Sequence, residues 1–250
     1  MADLAYMVRE DWAQEGTAMA TQSAVIRDSL GEAPYLFFVR SAAKFLSDRP
    51  ADLETVEFIA PDPTSRKIFS ISELNALKFE DKVLNHSIAV VHPFEEQDLD
   101  SLAEAVANDR VVKVFVMIWS PTDVVRIWLD GLGAVDLHTR QTAPSPDPVM
   151  VEAAKSMVME EHNGLSSGYG KDTVVQLVRA FTSAGYPLDV EAWLRAYFAA
   201  GGTFRNGDSL KRLLNEMKSG VKHRVKDRFR PNIVEILQER VASRESQEAD

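Results

Sequence analysis

Apolar residues recur every three to four positions at the start of the chain, at Leu4, Met7, Val8 and Trp12. That period predicts a helix. A second helical pattern runs from Ala18 to Leu30, with Thr17 as its N-cap. Residues 1–31 are therefore expected to form leading helices. Short apolar runs of strand length follow: Tyr35–Val39, Val56–Ala60, Lys67–Ile71, Ser87–Val91, Lys113–Trp119 and Ala134–Leu137. Helical stretches separate several of them, at Ala42–Leu53, Glu95–Asn108 and Thr122–Gly131. The clearest unit is Ser87–Leu137, which reads strand, helix, strand, helix, strand. Its strands are nearly continuous apolar runs, as expected when both faces of a sheet are covered. Right-handed crossovers then predict a mostly parallel sheet.

Beyond residue 150 the strand pattern stops. Val174, Val175, Leu177, Val178 and Phe181 mark one helix, and Val190, Trp193, Leu194, Tyr197 and Phe198 the next. Leu210, Leu213, Leu214, Met217 and Val221 mark a third, and Ile233, Ile236, Leu237 and Val241 a fourth. Gly185, Gly201, Gly202 and Gly220 fall near the expected helix ends, where glycine takes positive φ. Between the two halves, Thr139–Pro148 reads TRQTAPSPDP. Prolines at alternate positions oppose both helix and ladder pairing. The expected organisation is an α/β domain over 1–140, a Pro-rich linker over 141–149, an all-α helical domain over 150–246, and a disordered tail over 247–250.

Composition narrows the chemistry. Cysteine is absent, which removes disulfides, a thiol nucleophile and thiolate metal sites. The opening MADLAYMVREDWAQEG has neither the basic nor the apolar region of a signal peptide. No apolar run approaches the roughly 20 residues that span a bilayer. A soluble cytoplasmic protein without membrane contact is expected.

Charge is distributed unevenly. The net charge is −10, yet Arg205–Arg230 holds nine Lys/Arg against three acids, a local +6. Residues 1–148 carry 13 basic and 24 acidic groups, and residues 149–250 carry 15 and 14. Such a segment on an acidic chain points to an anionic partner: nucleic acid, a phosphorylated ligand, an acidic protein, or the acidic half of the same chain. On a helix continuing from Ser209, Lys211, Lys218 and Lys222 fall within about 40° of one another beside the apolar face. The run Lys222–Arg230 adds Arg224, Lys226 and Arg228.

Other motifs carry less. Gly164–Thr173 resembles a phosphate loop in composition only. Five residues separate Gly164 from Gly170, Asp172 divides Lys171 from Thr173, and a helix rather than a strand precedes it. What remains is a glycine-rich turn opening a helix. No glycine-rich turn follows a strand, so dinucleotide binding is disfavoured and no cofactor is expected. The histidines His86, His92, His138, His162 and His223 show no metal-ligand spacing. Glu160, Glu161 and His162 are consecutive and point in different directions. No metal site is expected.

The leading expectation is a binding or regulatory protein rather than an enzyme. Its basic helical domain would contact an anionic partner through Lys211, Lys218, Lys222, Arg224, Lys226 and Arg228. The alternative is a hydrolase-type enzyme with its site at the carboxyl edge of the sheet, where ligands of open α/β folds bind. Asp62, His92, Asp123 and His138 are its candidate catalytic residues. A third possibility is a structural or assembly subunit.

Overall fold

The chain opens on a strand, which corrects the expected leading helix. The structure, a computed structural model, describes residues 2–9, 19–32, 34–48, 50–74, 84–93, 95–108 and 111–248. In β1 (Asp3–Val8), every residue from Leu4 to Val8 is buried. A run buried on both faces of a sheet has no polar side, so it shows no period of two. The spacing of Leu4, Met7 and Val8 therefore imitated a helix. Trp12, Thr17 and Ala18 lie outside the described residues.

Six further strands follow: β2 (Tyr35–Val39), β3 (Arg66–Ser70), β4 (Leu84–Val91), β5 (Val111–Ile118), β6 (Val135–Asp136) and β7 (Gln141–Thr142). They form one sheet in the order β3-β2-β4-β5-β1-β6-β7. All neighbours pair in parallel except β6 and β7. Helices alternate with these strands: α1 (Met19–Leu30), α2 (Ala42–Asp48), α3 (Ala51–Ile59), α4 (Glu96–Ala107) and α5 (Val124–Gly131).

Two expectations in this region are corrected. Val56–Ala60 lies in α3 and its adjoining cap, not in a strand; Leu53, Val56 and Ile59 are buried three apart, the helical period. The single helix expected over Ala42–Leu53 is divided, because Pro50 cannot continue a helix and instead N-caps α3.

Side-chain alternation sorts the core into two layers. Met7, Phe37, Ala89, Phe115 and Met117 share one cluster with Ile26 and Leu30 of α1 and with Val56 and Ile59 of α3. Tyr6, on the opposite face of β1, donates a hydrogen bond of 2.8 Å to buried Asp130 on α5. Burial and the Asp130 carboxylate push the Tyr6 phenol well above its ordinary range. The chain moves one way across the sheet from β1 to β3, with α1 and α3 on one face. It returns from β4 to β6, with α5 on the other. Right-handed crossovers impose that arrangement.

The chain divides after Pro144 into two compact units. Gln141 and Thr142, placed by the sequence in a linker, pair with β6 in the first unit. In the second, the Asp147 side chain caps α6 (Pro148–Met159), accepting from the N–H groups of Val149 at 2.8 Å and Met150 at 3.0 Å. This region is helical: α7 (Gly168–Ser183), α8 (Val190–Ala199), α9 (Phe204–Lys218) and α10 (Ile233–Glu248) follow. The last helix runs through Gln247 and Glu248, where a disordered tail was expected.

Buried Glu152 ties α6 to α10. Its carboxylate accepts from Lys155 Nζ at 3.0 Å and from Arg244 Nη2 at 3.2 Å. Burial alone would raise its pKa; hydrogen bonds from Lys155 and Arg244 outweigh that and hold it below the usual carboxylate range. A depressed folded value stabilises the fold above the unfolded pKa and loses that contribution as pH falls through the folded one. Glu152→Gln is expected to cost about 1 kcal/mol at neutral pH, discounted because Arg244 is half exposed. Thermal unfolding of wild type and variant should converge as pH drops below the carboxylate range. Curves that stay parallel through and below that range would contradict this role for Glu152.

Candidate functional site

Neighbouring strands β2 and β4 send the chain to opposite faces of the sheet. Such a reversal leaves a crevice beyond the carboxyl ends of the two strands. A cavity of about 240 Å³ occupies it, lined by Arg40, Ser41, Lys44, Asp48, Asp52 and His92 among others. His92 also lines an adjoining cavity with Pro93, Trp119 and Asp123.

His92 is held in an unusual way. Its φ is +47°, a left-handed conformation uncommon outside glycine. Its N–H donates to Met117 O at 2.9 Å, extending the β4–β5 ladder by one residue. Its Nε2 lies 3.1 Å from Asp52 Oδ1 but out of line, so neither ring nitrogen has a hydrogen-bond partner among the described residues. The ring meets Trp119 edge-on at 5.2 Å, and Trp119 is 55% exposed. Nearby on α4, burial raises the pKa of the Asp98 carboxyl, which opposes the lowering effect of Arg40.

The four carboxyl-edge candidates do not share one place. His92 and Asp123 line the same cavity. Asp123, however, also accepts from Ser120 N at 3.0 Å, closing the turn before α5. Asp62 precedes β3 and so sits at the amino edge, the opposite end of the sheet. It was placed at the carboxyl edge because Val56–Ala60 was read as a strand. Its side chain caps a short turn, and the hydroxyl and N–H of Thr64 lower its pKa. His138 follows β6, three strand positions from β4, or about 14 Å at the usual strand spacing. Asp52 and Trp119 were missed. Asp52 reaches His92 from a helix that the sequence pattern had broken differently, and an exposed Trp ending an apolar strand gives no local sign of its surroundings.

Left-handed backbone costs a non-glycine residue about 1–3 kcal/mol. His92→Gly should therefore be more stable than His92→Ala by about 1 kcal/mol in denaturant unfolding. Equal stabilities would mean that the conformation is unstrained.

The basic segment takes a different form from the one expected. α9 ends at Lys218, and Gly220 adopts a φ of +88°. Gly220 N donates to Met217 O at 3.0 Å and Val221 N to Glu216 O at 2.9 Å, the paired bonds of a left-handed helix stop. Lys222 is therefore not on the helix, and the three-lysine stripe does not form. Val221 is 48% exposed rather than part of the apolar face.

From Val221 to Arg230 the chain has neither helix nor strand; burial alternates from Lys222 to Lys226, and Asp227 is exposed between Lys226 and Arg228. Lys222, Arg224, Lys226, Arg228 and Arg230 are exposed; His223 is buried, and Val225 and Phe229 are half-buried. Period two is the signature of extended chain. Two residues of α7 fasten it. Gln176 accepts from the N–H groups of Arg228 at 2.8 Å and Phe229 at 3.2 Å, and its amide donates to Lys226 O. Arg179 donates to His223 O at 2.8 Å.

The six predicted cations now separate. Lys218, Lys222, Arg224 and Lys226 are exposed and carry no ion pair among the described residues. Lys211 is half-buried. Arg228 is engaged within its unit: it pairs with Glu160 at 2.6 Å and lies 4.7 Å above the Tyr169 ring. Gln176 and Arg179, the residues that make the segment a fixed comb, were not found from sequence, since a polar residue on a helix does not declare its partner. The glycine-rich turn offers no phosphate cradle: a Cβ on Gly170 would lie 2.2 Å from Gly164 O, so the turn is filled by its own backbone.

Among the described residues no group of three or more His, Asp or Glu is placed to hold a metal, and no helix is long and apolar enough to cross a membrane. No family model matches the chain, and no curated protein matches it.

Proposed function

We propose that this protein binds nucleic acid through its helical unit, as a binding or regulatory protein rather than an enzyme. One observation carries the reading: Lys222, Arg224 and Lys226 project from alternate positions of a segment fastened to α7, and none has an internal counterion among the described residues. Alternate residues of an extended chain repeat about every 6.6 Å. A row of cations at that interval suits a polyanion whose charges also come in a row. Releasing the polyanion's counterions then drives association.

The test is a salt titration of the full chain against a labelled DNA duplex, read by fluorescence anisotropy. Log affinity should fall linearly with log salt, by about 0.9 for each phosphate contacted. Undetectable binding at the lowest salt would overturn the proposal, because screening is then weakest.

A second reading is favoured by His92. An imidazole whose Nε2 lies 3.1 Å from the Asp52 carboxylate, facing a cavity at a strand switch, suits proton transfer in a hydrolytic reaction. Asp52 takes the orienting role there, and neither Asp62 nor His138 belongs to it. Turnover of simple activated esters or phosphates that disappears in His92→Asn would support it. Activity unchanged in that variant would exclude His92.

A further inference from the structure

We infer that α8 and α9 form a helix-turn-helix whose second helix reads the major groove of duplex DNA. This rests on the nucleic-acid reading above and names its substrate.

The turn has the required construction. Four residues, Ala200–Thr203, join the helices. Gly201 has a φ of +91°, and the N–H groups of Gly201 and Gly202 close the end of α8 on Phe198 O at 2.9 Å and Tyr197 O at 3.0 Å. A short glycine-containing turn of this kind joins the two helices of that motif. Side chains cannot be added here. A Cβ on Gly202 would lie 2.3 Å from the Tyr197 ring, and one on Gly207 would lie 2.9 Å from Phe198.

At this junction Phe198 also meets Phe204 at 5.1 Å. The Glu161 carboxylate fastens it from outside, accepting from the Tyr197 hydroxyl and from Thr203 N at 2.9 Å. Farther along, α9 turns Leu210, Leu213 and Leu214 into the core.

That packing leaves Arg205, Asp208, Arg212 and Asn215 exposed. At 100° per residue they fall within an arc of about 80°. Arginine pairs two donors with guanine, asparagine pairs donor and acceptor with adenine, and aspartate accepts from cytosine. An α-helix about 10–12 Å across enters a major groove about 12 Å wide. Lys218 and the fastened cations Lys222, Arg224 and Lys226 follow the same helix, where phosphate contacts would set its register without specifying sequence.

Duplex RNA is a poor fit, because its major groove is deep and narrow. Single strands are bound on exposed aromatic rings. Among the described residues of this unit, Tyr169 is the large exposed ring, and one ring with Arg228 lying over it makes no row of stacking platforms.

The experiment selects sequences from a random duplex DNA library with the full chain, then compares the selected duplex with a scrambled one. A consensus should emerge, preferred at least about tenfold. Arg212→Ala should reduce that preference by about tenfold, costing the selected duplex more affinity than the scrambled one. Lys222→Ala with Lys226→Ala should weaken both duplexes equally. Arg212 is exposed, and an unchanged circular dichroism spectrum checks that the variant folds. Binding without any consensus, or equal binding to single strands and duplex RNA, would overturn the groove-reading role and leave nucleic-acid binding standing. No binding to any nucleic acid would overturn both.

Discussion

Replacing Lys222, Arg224 and Lys226 together by alanine is expected to weaken duplex DNA binding about 500-fold at about 0.1 M salt. The figure follows from three phosphate contacts at about 0.9 log units per tenfold salt change, extrapolated to about 1 M. The slope of log affinity against log salt should become shallower by about 2.7 over the same three contacts. Folding should be nearly untouched. The three side chains are exposed, while the segment is held by its backbone through Gln176 and Arg179 and by buried His223. Arg228→Ala is the informative control. Its charge is already spent on Glu160 and the Tyr169 ring, so it should change the salt slope little and lower stability instead. Anisotropy titrations at several salt concentrations measure both quantities. A triple variant with an unaltered slope would show that these cations do not meet phosphates.

Trp193→Ala is expected to destabilise the helical unit by about 3–5 kcal/mol. Trp193 is 1% exposed on α8, and its ring meets Phe181 of α7 at 5.0 Å and 68°. Phe181 in turn packs on Tyr186 at 4.8 Å, so removing the indole opens a cavity inside an aromatic cluster that cannot collapse around alanine. A loss of that size approaches the whole stability of a typical domain. Nucleic-acid binding should therefore fail on mild warming, well before wild type loses it. Urea unfolding followed by far-ultraviolet circular dichroism measures the change. A cost below about 1 kcal/mol would place Trp193 outside the core.

Much of the architecture was legible because burial repeats with the local period of the chain. β2, the Ser87–Val91 part of β4, and β5 are mostly apolar runs of strand length, and α4 and α5 carry their apolar residues three or four apart between them. The helices after Pro148 were legible for the same reason, with glycines marking where several of them stop. The basic run was visible as composition, and its nine cations against three acids require no structure to notice.

Tertiary structure decided the rest. β1 lost its period because α1 packs on one of its faces and α5 on the other, and an apolar stretch in that position resembles a helix. Reading Val56–Ala60 as a strand moved Asp62 to the wrong edge of the sheet, and nothing local linked Asp52 to His92, the residue it meets. The basic run became an alternating comb only because Gly220 stopped α9 and Gln176 fastened the chain that follows. Local pattern records which side of an element faces inward. It carries no information about which distant element lies there, and both the partner of His92 and the shape of the basic segment depend on that.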